Sequence, residues 1–150
     1  MKLGEYLAKF SYPGRGIAFG RSADGIKLIM VYFIMGRSVN SRNRMFVSEG
    51  CEVRTKAVDE SKMTDPSLII YYPVRTVNGW TIVTNGDQTD TIRDHIAAGS
   101  CFRNALLERR YEPDAPNYTP RISAAAKTDD GRACYLMSVL RKSKESDRCR

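Results

Sequence analysis

The chain has no Cys-x-x-Cys pair, although it contains four cysteines, Cys51, Cys101, Cys134 and Cys149. Their wide spacing excludes a zinc knuckle or a dithiol redox motif and predicts buried free thiols in a reducing compartment. There is one histidine, His95, with neither a Ser-His-Asp arrangement nor metal-ligand spacing around it, so no metal site is predicted and His95 is given no role. Both standard phosphate loops, G-x-G-x-x-G and G-x-x-x-x-G-K-[ST], are missing. Long apolar runs are missing too. The longest, residues 26–35, is interrupted by Lys27 and falls far short of the roughly 20 residues needed to cross a bilayer. The N-terminal MKLGEYLAKF carries Lys2, Glu5 and Lys9 in place of a signal peptide's apolar stretch. These absences predict a cytoplasmic protein with no membrane partner.

What is present fits one globular domain. With 150 residues, 42% hydrophobic and 27% charged, the chain can bury a real core. A formal charge of +7 favours anionic partners. Part of that excess is local, because residues 141–150 contain Arg141, Lys142, Lys144, Arg148 and Arg150 against Glu145 and Asp147. The reading is therefore a domain over residues 1–140 followed by a basic polar tail or continuation over 141–150.

Hydrophobic periodicity places a short helix on Leu3, Tyr6, Leu7 and Phe10, broken at Tyr12-Pro13-Gly14. Residues 16–20 and 26–35 read as a hairpin turned at Ala23-Asp24-Gly25, and the second strand, apolar on both faces, is expected to be central. Strands are expected at 45–47, 51–56, 68–72 and 80–84, with a turn at Val77-Asn78-Gly79. Helices are expected at 91–98, with caps offered between Asp87 and Asp90, and at 100–110, with Phe102, Ala105 and Leu106 on its inner face. A last hairpin joins 122–126 to 133–140 through Asp129-Asp130-Gly131. The order predicts an α+β fold with helices layered on antiparallel sheet and disfavours a doubly wound one.

Three segments can carry chemistry. The loop 36–44 (GRSVNSRNR) leaves the end of an apolar strand with Arg37, Arg42 and Arg44 beside Ser38. Guanidinium forks match phosphate bidentately, and Ser or Asn completes the shell. The polar run 84–90 (TNGDQTD) lies between a strand and a helix start, where backbone N–H groups can take an anion or a carbonyl oxygen, and the acidic Asp87 and Asp90, themselves candidate helix caps, favour contact with a base or ribose over a phosphate. The stiff run 111–121 (YEPDAPNYTPR) sets Glu112, Asp114, Asn117 and Arg121 among three prolines, and a carboxylate with an arginine can serve as general base and charge partner.

The same segments carry a family resemblance. YPGRGIAFG, YFIMGRSVNSRNR, DPSLIIYYPVR, TIVTNGDQTDTI and YEPDAPNYTPRIS look like successive blocks of the inosine monophosphate (IMP) cyclohydrolase family of archaea and bacteria, in order, over residues 12–140. The resemblance implies stacked antiparallel sheets with flanking helices, an αββα sandwich like that of the N-terminal-nucleophile hydrolases. It also implies closure of 5-formamidoimidazole-4-carboxamide ribotide to IMP with loss of water, without a dissolved cofactor. An amidohydrolase is disfavoured because Met1-Lys2-Leu3 supplies no Cys, Ser or Thr nucleophile.

By this resemblance Arg37, with Arg42 or Arg44, binds phosphate or polarises a carbonyl, and Tyr72 donates to the oxyanion. Asn85, Gly86, Asp90, Ser38 and Asn117 hold substrate; Glu112 is the base and Arg121 orients it. The partner implied is a phosphorylated purine precursor or IMP, and a homo-oligomer is compatible with the reading. Family members continue beyond the segment resembling MSVLRKSKESDRCR, so this chain is expected to correspond to the N-terminal part of the domain, with an incomplete sandwich. The alternative is a noncatalytic nucleotide- or RNA-binding module in which Tyr12, Phe33 and Tyr72 stack bases. No specific nucleic acid is expected, since no RNP sequence is present.

Overall fold

The computed structural model describes residues 2–129, 131–146, 148 and 149. Helix α1 (Leu3–Leu7) leads into a hairpin of β1 (Arg15–Arg21) and β2 (Leu28–Ile34), which forms a sheet of its own. The turn between them is built by Ser22 and Gly25: the Gly25 N–H donates to the Ser22 carbonyl at 2.8 Å, and Gly25 takes φ 73, where glycine meets no steric cost. After the short helix α2 (Val39–Arg42) the chain meanders through six antiparallel strands in sequential order. These are β3 (Met45–Glu49), β4 (Glu52–Lys56), β5 (Val74–Val77), β6 (Trp80–Thr84), β7 (Arg121–Asp129) and β8 (Arg132–Leu140). Helices α3 (Gln88–Ala97) and α4 (Phe102–Leu107) sit between β6 and β7.

The main core lies where α3 and α4 cover one face of the large sheet. Ile92 and Ile96 from α3 and Phe102, Ala105 and Leu106 from α4 close over Ile82 and Ala125. Ile82, Ile92, Ala105 and Ala125 are fully buried, and an isoleucine deleted to alanine in such a site costs about 2–5 kcal/mol. The two-stranded sheet stacks on the opposite face. Leu28, Met30 and Tyr32 of β2 look across at Val53, Val74, Thr81 and Val83, around a space of about 460 Å³. Ala124 and Ala126, paired with Val83 and Thr81, keep β7 thin enough for this approach. Phe19 of β1 stacks on Tyr135 of β8 with ring centroids 5.9 Å apart. The molecule is thus α+β, as the element order implies, with the stacked antiparallel sheets that the family resemblance implies.

Several expectations need correction. Strand β2 is not central; it pairs only with β1, and its two apolar faces serve the inter-sheet space on one side while Ile29 and Val31 are exposed on the other. Residues 68–72 form a turn rather than a strand: the Ile69 and Ile70 N–H groups both donate to the Pro66 carbonyl at 2.9 Å. The apolar side chains there answer a demand for burial, met by Ile69 and Tyr71, without ladder pairing. The thiols are not buried, since Cys51, Cys101 and Cys134 are exposed and Cys149 is partly so. They fall at a hairpin turn, a helix start and the edge strand rather than on core-facing positions. Asp87 precedes α3 but its carboxylate makes no cap hydrogen bond, because two arginines claim it.

The Asn78-Gly79 turn is as predicted, with φ 47 and 77 as a two-residue hairpin turn requires. In the last hairpin turn Asp130 lies outside the described residues, as do Met1 and, in the tail, Asp147 and Arg150. Among the described residues no helix is long and apolar enough to cross a membrane.

Candidate active site

Three chain segments meet at one end of the sandwich. Gly14, at φ 72, turns the chain after Pro13, and its carbonyl accepts from the Met35 N–H at 2.8 Å. That bond ties the start of β1 to the end of β2, so Arg15 and the basic loop leave the hairpin side by side. The loop is then shaped by its own sequence. Ser38 caps α2, accepting from the Ser41 N–H at 3.0 Å, while the Ser41 hydroxyl accepts from the Ser38 N–H at 3.0 Å. Gly36 passes so close to Ser41 that a Cβ there would overlap the Ser41 backbone. Asn40 fastens the opposite wall, its Nδ2 donating to the Asp65 carbonyl at 3.1 Å and its Oδ1 accepting from the Thr64 N–H at 3.2 Å.

The proline-stiffened segment supplies the third wall. The Glu112 N–H donates to the Thr119 carbonyl at 2.9 Å, closing the segment into a loop. Inside it Asp114 accepts from the Thr119 N–H at 2.6 Å and from the Thr119 hydroxyl. The Asn117 N–H returns to the Asp114 carbonyl at 2.9 Å. A pocket of about 260 Å³ results, with Arg15, Arg37, Arg44, Ser38, Asn117 and Glu112 among its lining.

At its base Arg15 Nη1 lies 2.7 Å from Glu112 Oε1, with side-chain exposures of 17% and 3%. Such a pair is desolvated, so its charges interact far more strongly than surface ions do. Burial drives the Glu112 carboxyl above the ordinary carboxylate range, and the opposing pull of Arg15 and, more weakly, Arg121 does not restore it. Behind the pair the hydroxyls of Tyr32 and Tyr71 share a hydrogen bond of 2.9 Å. Burial raises the pKa of both phenols, although Arg15 and Arg44 stand near enough to oppose it. Nε of Arg15 and one terminal nitrogen of Arg44, Nη2, are buried without protein acceptors. A donor array with unspent hydrogens suits an anionic or carbonyl-bearing ligand.

The structure brings some of the sequence-predicted residues together and leaves others apart. Arg37, Ser38, Arg44, Glu112 and Asn117 all line the pocket. Arg37 sits 5.1 Å above the Tyr12 ring, held by a cation–π contact. Arg42 turns away, donating through Nε to the Gly36 carbonyl at 2.8 Å and lining a smaller adjoining cavity with Met45 and Phe46. Tyr72 is not at the pocket: its hydroxyl donates to Glu49 at 2.8 Å and the Arg75 guanidinium covers its ring at 3.5 Å. Asn85 is fully occupied as a splice between strands, donating to the Pro120 carbonyl and accepting from the Ile122 N–H and Gln88. Asp90 accepts from Arg75 at 2.9 Å, away from the pocket.

Arg121 does not hold Glu112. Its Nη1 donates to Asp87 and Gln88, each at 2.7 Å. Gly86 explains the arrangement, since a Cβ there would come 2.7 Å from Arg121 Nη1 and 3.6 Å from Glu112 Oε1. The TNGDQTD run therefore backs the carboxylate without opening onto the pocket. Sequence reasoning gives Arg15 no role although it stands in the YPGRG block, because its partner is 97 residues away in sequence. Among the described residues no cluster of three His, Cys, Asp or Glu could hold a metal ion.

Stacked antiparallel sheets carrying a basic pocket around a buried carboxylate define an α+β protein of the αββα sandwich type. The profile of a family described as IMP cyclohydrolase-like protein matches residues 12–148, and the chain belongs to that family. It is 37% identical over 132 residues to the IMP cyclohydrolase of Methanopyrus kandleri, covering 85% of this chain and 63% of that protein. To the IMP cyclohydrolase of Methanothrix thermoacetophila it is 34% identical over 132 residues, covering 83% and 61%. The corresponding protein of Methanococcus maripaludis strain C5 is 31% identical over 130 residues, covering 83% and 63%. The chain thus spans less than two thirds of the length of these curated relatives.

Proposed function

We propose that this chain closes 5-formamidoimidazole-4-carboxamide ribotide to IMP, or forms the part of such an enzyme that holds the ribotide and removes its proton. The observation that carries the reading is Glu112, nearly sequestered from water beside Arg15 at the base of a pocket lined by Arg37 and Arg44.

The reaction joins the carboxamide nitrogen to the formyl carbon, then expels the formyl oxygen as water. One of its protons comes from the carboxamide nitrogen and one from the formamido nitrogen. Both reacting groups belong to one molecule, so holding them in the reactive rotamer is the larger part of the task. Glu112, with its proton affinity raised by burial, takes the carboxamide proton and can return it to the departing oxygen. Arg37 or Arg44, with Ser38, takes the phosphate. The unspent N–H of Arg15 serves the developing oxyanion, and Tyr71, within electrostatic reach of Arg15 and Glu112, takes the supporting role in place of the outward-turned Tyr72.

Ultraviolet detection of IMP formed from the ribotide tests this. Glu112→Gln is expected to lower kcat by about a hundred- to ten-thousandfold with binding retained, and Arg37→Ala to raise KM by roughly tenfold. Ribotide binding by the folded chain without turnover would leave the pocket assignment standing and place catalysis in a longer form of the protein. Full turnover by Glu112→Gln would remove the base.

A further inference from the structure

A second cleft of about 580 Å³ is lined in part by Arg109, Arg110, Arg121, Tyr111 and Tyr118. None of these five residues lines the front pocket. The charge there is not balanced. Arg109 and Arg121 share the single carboxylate of Asp87, so one positive charge is left over from that trio. Arg110 adds another at the exposed rim. Glu108 is the acidic residue in the lining, and its Oε1 lies 3.1 Å from His95 Nε2.

An independent feature points to a ligand. The Arg121 side chain is only 7% exposed, and its Nε is buried with no hydrogen-bond partner. A buried guanidinium with an unmet N–H carries a desolvation cost, and an anion held in the cleft that Arg121 lines would offset part of it through its charge. The guanidiniums provide planar forks suited to a phosphate group, and the two tyrosine rings, edge to face at 5.5 Å, offer an apolar wall beside it.

We propose that this cleft is a second anion site, which takes the phosphate group of a small phosphorylated ligand between Arg110 and Arg121. The proposal does not depend on the activity assigned to the front pocket. Occupation would compete with Asp87 for Arg121, whose Nη1 shares with Glu112 Oε1 the border of the space that a Cβ on Gly86 would fill.

Titration of the uniformly ¹⁵N-labelled chain with inorganic phosphate, followed by amide chemical shifts, tests it. The expected result is saturable shifts at Arg110, Tyr111 and Tyr118 that persist in Arg37→Ala. In Arg110→Ala they should require about tenfold more phosphate. Arg110 is exposed, so its replacement leaves the fold intact, and unchanged dispersion of the remaining amides verifies this. Comparison with ribose 5-phosphate separates an organic phosphate, which should bind more tightly, from the free ion. Shifts confined to residues 36–44, absence of saturation at the cleft amides, or cleft binding unaltered by Arg110→Ala would each overturn the proposal.

Discussion

Glu112 is pulled in two directions, and the balance sets how the pocket should respond to pH. Burial raises its carboxyl above the ordinary range; Arg15, at 2.7 Å, opposes that shift. As a base it works only when ionised, so turnover should rise as pH climbs through this elevated value. Replacing Arg15 with Gln removes the opposing charge, and the acid limb of the kcat profile should move to higher pH, while a purely structural role would lower kcat equally at all pH. Stability runs the opposite way. A carboxyl whose folded pKa exceeds its unfolded one contributes stability present below the unfolded value and lost as pH rises through the folded one. The Arg15→Gln loss, roughly 3–5 kcal/mol for breaking a buried pair, should therefore be smaller in acid than at neutral pH in denaturant titrations. Little of this pairing was legible in the sequence. The partner of Glu112 lies 97 residues upstream, whereas Arg121 was close in sequence and chemically equivalent. Tyr71 and Tyr72 differ by one residue, yet one faces Tyr32 and the other Glu49, and local composition cannot choose between them.

At the scale of elements, the phosphate-facing loop owes its shape to the fit between Gly36 and α2. A methyl group at Gly36 would meet the Ser41 backbone, which cannot swing aside as a flexible side chain could. Gly36→Ala should therefore displace α2 and the Ser38 cap. The expected cost is about 1–3 kcal/mol, read as a fall in Tm of roughly 3–10 °C, and ribotide binding should weaken while the α3–α4 core remains intact. Retention of wild-type affinity and Tm would show that the loop is not held this way. The hairpins were legible because their turns have local chemistry: Asn78-Gly79 and Gly25 supply the positive φ values that two-residue and short turns demand. The stretch 68–72 was not legible, because apolar β-formers there signal burial, and burial is met by a turn in which Thr55 Oγ1 accepts from the Tyr71 N–H at 2.8 Å. Helix α4 was recognisable from Phe102, Ala105 and Leu106, all of which face the core.

For the molecule as a whole, a charge of +7 and uncovered apolar sheet surface act against each other. Strand β8 ends the six-stranded sheet, and Tyr135, Met137 and Val139 on its inner face are 60%, 57% and 55% exposed. Ile29 and Val31 on the outer face of β2 are 43% exposed. An edge of nine residues bearing such a face is a template for pairing with another chain. Repulsion between like-charged copies resists that pairing at low ionic strength and fades once the screening length falls to about 10 Å near 0.1 M salt. Sedimentation velocity should accordingly show a monomer in dilute buffer and salt-promoted self-association above it. The double substitution Met137→Lys and Val139→Lys should keep the chain monomeric throughout, because it adds charge where contact would occur and removes the apolar surface that drives it. A wild-type chain that stays monomeric at high salt would mean that β8 is protected by its own chain, and the association argued from its exposed face would fail.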